Sequence, residues 1–288
     1  MIYILLFEKR SNIFKWSQVG FSMVYTHLLV RSGELFLKGQ NRPFFERKLI
    51  NNLERLLSVK VLKKLQGRLI LAYFSQHHQI KRVFGLSSYS PSLRVGKELE
   101  IIKEAAVKVL KEKKGTFRVE TNRSDKSFPL PSPKINTEIG RYIEEKTALT
   151  FAFKQAQHLL TLEINQDGAY LFLETIPCFG GLPVGVEGEV SLLVENEASI
   201  LAGILMMKRG CKIIPLAFSA QDITLLQKFD PKLQLQLITH LNQIKTEIVV
   251  IGETFDNYKE YTLKTIIVRP LIAYDSKQIK EQLEKFTD

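Results

Sequence analysis

Cysteine is scarce in this chain, with two in 288 residues. Cys178 and Cys211 lie far apart and share no metal-binding spacing. A disulfide scaffold and a cysteine-based zinc site are both excluded. The scarcity suits a reducing cytoplasm, where both thiols read as small packed hydrophobes, with redox chemistry at Cys178 kept open. Long apolar runs are also missing. Nothing approaches the ~18 residues of a membrane span, so no membrane partner is expected. Met1 to Phe7 is too short for a secretory signal, and no small-residue cleavage site follows. The one adjacent histidine pair, His77-His78, diverges on a helix and has no nearby thiol or clustered carboxylates, so no metal is expected. What remains is ordinary: 45% hydrophobic residues and a mean hydropathy of −0.04. That length holds two or three modest domains.

Charge is the first positive signal. The net charge is +11, but its distribution is uneven. Residues 1–187 hold 29 Lys+Arg against 17 Asp+Glu, and residues 188–288 hold 12 against 13. A basic front and a neutral back imply that the front meets a polyanion. The bland alternative is that scattered lysines only solubilise the chain.

Periodicity divides the chain. Tyr25 to Val30 reads as a strand, Pro43 opens a helix running to about Leu57, and strands at 59–65 and 68–74 flank the Gln66-Gly67 turn. With a helix from His77 to Gly85, this β-α-β-β order predicts a small ferredoxin-like unit. A second unit follows: a helix over 97–114, a strand over 116–121, an irregular proline-rich stretch NRSDKSFPLPSPK, a helix over 135–146 and strands at 159–164 and 170–175. Past a Gly/Pro hinge, strands at 190–194, 212–217 and 247–251 alternate with helices at 197–209, 222–243 and 276–286. Such alternation predicts a parallel sheet with covering helices. The fold class expected is an α+β front half followed by a small α/β domain.

Four blocks carry a resemblance. They are LLVRSGELFLKGQNRPFFERKL (Leu28 to Leu49), FRVETNRSDKSFPLPSPKINTEIGRYI (Phe117 to Ile143), the junction GGLPVGVEGEVSLLVENEASILAGILMMKRG (Gly180 to Gly210) and, more weakly, VRPLIAYDSKQI (Val268 to Ile279). Together they resemble the tRNA 4-thiouridine synthetase (tRNA sulfurtransferase, ThiI-type) family. The resemblance implies a ferredoxin-like domain over 23–85, a THUMP RNA-binding domain over 86–176, a hinge over 177–188 and a PP-loop ATP pyrophosphatase-like domain over 189–288. Residues 1–22 do not match: either Met23 is the natural start or the leader is a loosely attached extension.

Cations in the front half are the candidate RNA contacts. Arg31, Lys38 and Arg42 flank the first strand–helix turn, and Arg123, Lys126, Lys134 and Arg141 cluster in and after the proline-rich stretch. Prolines hold such a loop stiff, which lowers the ordering entropy lost on binding phosphates. Asn136 and its polar neighbours add neutral groups that fix register on a sugar-phosphate backbone. Phe128 has two readings, a face for an unpaired base or a core ring beside Pro129. The resemblance favours RNA for the loop as a whole, and implies that this surface grips the tRNA acceptor end.

The strand–helix turn at 194–202 is the counter-signal. Where the family reads S-G-G-I-D-S-P-V-A, this chain reads Val194-Glu195-Asn196-Glu197-Ala198-Ser199-Ile200-Leu201-Ala202. Glycines that bring backbone N–H groups to pyrophosphate and the magnesium-holding Asp are replaced. A carboxylate about 4 Å from a phosphate oxygen costs on the order of 1 kcal/mol in water and ~4 kcal/mol at an effective dielectric near 20. Asn196 and Glu197 instead suit a self-sufficient helix start. The family's ATP and magnesium are therefore expected to be lost. The family's reactive cysteine belongs beyond Arg269-Pro270-Leu271, and neither Cys178 nor Cys211 matches it. The expectation is a cytoplasmic, tRNA-binding pseudo-enzyme or adaptor, alone, as a homodimer, or beside an active subunit. The alternatives are a sulfurtransferase completed by a partner chain that supplies the ATP site and cysteine, and an adaptor for another tRNA modification.

Overall fold

The computed structural model describes residues 25–33 and 39–287. Lys38 and the 1–22 leader lie outside them. The chain opens with β1 (His27–Ser32), α1 (Arg42–Leu57), β2 (Val61–Leu65) and β3 (Arg68–Ala72). Proline lies at the start of α1, where its missing N–H costs nothing. Phe45, Leu49 and Leu53 recur at four-residue spacing and form its buried face. Instead of the expected helix from His77, a 3-10 turn spans His77–Arg82 and buries Ile80.

Next come β4 (Leu86–Val95), α2 (Leu99–Leu110), β5 (Thr116–Arg123), α3 (Ser132–Lys146), β6 (Thr150–Phe151), β7 (His158–Asn165), β8 (Gly168–Phe172) and β9 (Ile176–Pro177). The stretch expected to be irregular is shorter than its prolines suggested. Asn122 and Arg123 extend β5, while Ser132, Pro133 and Lys134 form the first turn of α3. Pro133 is tolerated there because first-turn N–H groups have no helical partner.

These strands form one sheet in the order β2-β3-β1-β4-β8-β7-β5-β6, with β9 paired to β4. The strand β4 joins the two front units. It pairs with β1 along 86–92, with β9 at Ser88 and Tyr89, and with β8 at 93–95. Pro91, which lacks an N–H, falls in the gap between the β9 and β8 pairings. Two ion clusters cross the same join. Glu163 on β7 holds Arg31 at 2.6 Å and Arg68 at 3.0 Å, and Asp167 holds Lys63 at 2.5 Å and Arg94 at 2.7 Å.

The remainder is a five-stranded parallel sheet, β12-β11-β10-β13-β14. It contains β10 (Glu189–Leu193), α4 (Glu197–Lys208), β11 (Lys212–Ala217), α5 (Thr224–Gln227), β12 (Gln236–Leu237), β13 (Ile248–Ile251), β14 (Ile266–Val268) and α6 (Ser276–Thr287). The expected 222–243 helix is absent. Pro231 disfavours helical backbone before it, so α5 is one turn long and 236–237 pairs with β11 instead. The helix α4 is buried on nearly every side. One face of the sheet is covered without an α-helix, by Leu241, Ile244, Tyr261 and Leu263 packed against Leu193, Val249 and Ile251.

The α/β domain is fastened to the front. Phe84 stacks on Phe229 with centroids 5.0 Å apart, and Phe179 meets Phe286 at 4.9 Å. Arg55 of α1 reaches Asp230 at 2.9 Å. Gly85 N–H donates to the Gly180 carbonyl, and Gly180 N–H donates to that of Leu86.

Candidate nucleic-acid interface

A groove of about 680 Å³ opens between β5, α3 and β6. The paired ends of β5 and β6 form one wall, and the exposed side of α3 forms the other. Ile135, Ile139 and Ile143 point α3 into the core, which turns Asn136, Thr137, Gly140 and Arg141 outward into the groove. Phe151 and Phe153 line the far side, and Phe153 is 73% exposed. Glu144 accepts the Phe151 N–H at 2.9 Å, which pins β6 to α3. The Asn136 Oδ1 is buried and accepts no hydrogen bond among the described residues. Buried acceptors are nearly always paired, so this one has room for a donor from outside the chain.

The candidate cations separate once placed. Arg141, Lys134 and Lys126 are exposed. Arg141 lines the groove, Lys134 stands in the first turn of α3, and Lys126 rides on the 124–131 loop. Arg31 and Arg42 do not present free charge. The Arg31 guanidinium bonds Glu163 and Ser90 and lies 5.0 Å from the Phe172 ring centre, and Arg42 pairs with Glu46 at 2.7 Å. Arg123 donates through Nη1 to the Phe128 carbonyl at 2.6 Å, while its buried Nε has no partner among the described residues. Phe128 is 6% exposed and packs in the core with residues such as Leu93 and Ile135. The core reading of this ring holds, and it offers no stacking face.

The 124–131 loop is stiff for reasons beyond its prolines. Lys97 reaches Asp125 at 2.7 Å, and Asp125 accepts from both the N–H and the hydroxyl of Ser127. These bonds, led by Lys97, pull the Asp125 carboxyl down to about 2. Sequence reading missed Phe151 and Phe153, although the i, i+2 spacing of Phe151-Ala152-Phe153 was a legible sign of two rings on one face.

The β10–α4 turn is closed on itself. Val194 is buried, while Glu195, Asn196 and Glu197 face solvent. Asn196 Oδ1 accepts the Ser199 N–H at 3.1 Å, and Glu195 N–H donates to Ser199 Oγ at 3.2 Å. Ser199 is fully buried, and Ala198 is partly buried beside it. Gly252, just past β13, lies against this first turn so closely that a Cβ there would overlap the Ser199 amide nitrogen. Beside it, buried Glu253 accepts from Tyr261 Oη at 2.6 Å and from Arg269 Nε at 2.8 Å. Arg269 of the VRPL block is thus a structural cation, stacked over Tyr258 at 4.5 Å.

Neither thiol is poised as a nucleophile. Burial pushes Cys178 up to about 12 and also raises Cys211. His77 bonds Tyr89 at 3.1 Å, and burial lowers its pKa. Among the described residues no cluster of three or more His, Cys, Asp or Glu is able to hold a metal ion, and no helix is long and apolar enough to cross a membrane.

Comparison with known proteins agrees with this architecture. Residues 27–90 match the family model of the ThiI ferredoxin-like domain, and residues 96–174 match that of the THUMP domain. A probable tRNA sulfurtransferase of Moorella thermoacetica is 39% identical over 211 residues, covering 70% of this chain and 54% of that protein. Its counterpart in Listeria monocytogenes is 32% identical over 261 residues, covering 85% and 65%. The chain thus spans between about half and two thirds of the length of these relatives. Among solved structures, PH1313 from Pyrococcus horikoshii superposes with a TM-score of 0.78 at 28% identity, covering 90% of this chain and 99% of that one. A 4-thiouridine synthetase–RNA complex with bound ATP shares the fold, with a TM-score of 0.78 at 23% identity over 91% and 85%. The chain thus carries a ThiI ferredoxin-like domain, a THUMP domain and a parallel α/β domain in that order, an architecture similar to that of the ThiI-type tRNA sulfurtransferases.

Proposed function

We propose that this chain binds tRNA in the cytoplasm through the β5–α3–β6 groove, and serves tRNA modification of the 4-thiouridine kind as a binding partner and not as the catalyst. The observation that carries the reading is the groove itself. It combines two exposed aromatic faces with an exposed guanidinium at Arg141 and an Asn136 acceptor that is unpaired among the described residues. Those are the parts an unpaired RNA end requires: stacking surface, phosphate charge and a base-edge contact. The occupant is the single-stranded acceptor end. Lys126 and Lys134 lie exposed on the loop and first helical turn that precede Asn136.

The non-catalytic half of the proposal rests on the β10–α4 turn. Its helix start is capped by Asn196, crowded by Gly252 and fronted by Glu195 and Glu197. A triphosphate would have to displace the cap and approach two carboxylates. ATP and magnesium are therefore not cofactors of this chain. The chain acts as a homodimer or in a complex with an active tRNA-modifying subunit, and only the second would supply the missing chemistry. The name borne by the sulfurtransferase relatives favours the second reading, an enzyme completed by a partner chain.

Two measurements test this. Fluorescence anisotropy should give tRNA binding that weakens when the 3′ single-stranded end is removed, and calorimetry should give no heat with ATP-magnesium at micromolar concentrations. Equal affinity for blunt and intact tRNA would reject the acceptor-end reading. Micromolar ATP binding, or 4-thiouridine formed by this chain alone, would reject the non-catalytic one.

A further inference from the structure

A second cleft, of about 380 Å³, separates α1 from the α/β domain. It lies where β10 and β11 begin, at Glu189 and Lys212. That is the opposite edge of the parallel sheet from the α4 start, since α4 follows the far end of β10. The cleft is an ionic site with one charge left over. Arg55 is matched by Asp230 at 2.9 Å, and Lys212 by Glu189 at 2.5 Å. Lys48 has no acidic partner among the described residues.

The position of Lys48 is set by its floor. Gly185 adopts φ +86°, and a Cβ there would sit 2.7 Å from Lys48 Cε and 2.8 Å from Nζ. The side chain therefore lies flat on bare backbone, and its ammonium is held inside the cleft. Asn51 adds an exposed amide at the rim. Arg55 uses only Nη1 on Asp230, which leaves further N–H groups to donate. An ammonium, a partly free guanidinium and an amide around a small open cleft match a tetrahedral oxyanion.

We propose that this cleft is a phosphate site, and that a backbone phosphodiester of the tRNA held in the groove occupies it. The choice of occupant rests on the RNA reading above. The chemistry of the cleft does not, because free phosphate has the same donors to meet. The charge balance fits a diester in particular. One net positive charge matches one phosphodiester charge, whereas a triphosphate would bring at least three to the same cavity and to two resident carboxylates.

Lysine footprinting on the intact wild-type chain tests this. Amines are acetylated with a limiting reagent, and each site is read by mass spectrometry with tRNA, with inorganic phosphate, or with neither. We expect tRNA to slow labelling of both Lys134 and Lys48 several-fold, and Lys48→Gln to reduce the salt slope of tRNA binding by about 0.7 to 0.9. Protection of Lys134 without Lys48 in either arm would sink the cleft and leave the groove standing. Protection of Lys48 by inorganic phosphate but not by tRNA keeps the site and overturns its RNA occupant. Protection of neither lysine in any arm overturns both readings.

Discussion

Phe153 and Phe128 are the most informative pair of residues to exchange. Phe153 is 73% exposed and Phe128 is 6% exposed. Phe153→Ala should leave the unfolding midpoint within about 0.5 kcal/mol of wild type, as surface changes do. It should weaken tRNA binding by about 1–3 kcal/mol, the usual worth of one stacked base. Phe128→Ala should do the reverse, costing about 3–5 kcal/mol of stability with binding lost only through unfolding. Urea melts and anisotropy on both variants check this. Local sequence did not separate the two rings. Phe128 sits among prolines and cations, which looks like a binding loop, while its inward direction is decided by Asp125 and Arg123 folding the loop over it. Asp125 also gives the loop a pH signature. Its carboxyl is held near 2 against an ordinary 3.8, so its contribution to stability is complete above the ordinary value and is lost as pH falls through the folded one. The gap in thermal midpoint between wild type and Asp125→Asn should be constant above pH 5 and should close toward pH 2. A gap unchanged at pH 2 would assign it to something other than this ionisation.

At the scale of elements, the β10–α4 turn was legible in detail and the 222–243 segment was not. Asn196 followed by Glu197 is a strong helix-start signal that depends only on neighbours in sequence. The structure shows the cap it implies, with Asn196 Oδ1 on the Ser199 N–H. Residues 222–243 carry enough Leu and Gln to read as helix, yet the partner that claims them is β11, which pairs with Gln236 and Leu237. Tertiary pairing overrode propensity, and Pro231 was the one local warning. The β10–α4 join yields a prediction of its own. Asn196→Ala should cost about 1 kcal/mol, and Gly252→Ala about 1–3 kcal/mol, because its Cβ meets backbone that cannot swing away. Denaturant titration should rank Gly252→Ala as the more damaging. The opposite order would mean that β13 and α4 are less closely packed than the overlap at Gly252 requires.

For the whole molecule, the groove and the cleft cations Lys48 and Arg55 lie in the basic front, while the α4 start in the neutral back is fronted by Glu195 and Glu197. The join between front and back is dry and aromatic. Phe84, Phe179, Phe229 and Phe286 touch in one cluster drawn from a front unit, the hinge, α5's far side and the last helix. A hydrophobic interface of this kind couples domains that would otherwise move and melt separately. Wild type should therefore unfold in a single calorimetric transition, and Phe229→Ala should split it in two, with the α/β domain melting first. Two transitions already present in wild type would show that the aromatic cluster does not couple the domains.

The strand β4 has a consequence for time as well as for architecture. It is flanked by β1 on one side and by β9 and β8 on the other, and Tyr89 has neighbours on both. An amide proton on this strand donates into an interior ladder, whose opening is a rarer fluctuation than the fraying of an edge. In deuterated buffer, Tyr89 should be among the last amides to exchange, outlasting those of β2 at one margin and β6 at the other. The slow-exchange map of the front half should accordingly be centred on the seam between its two units and not inside either one.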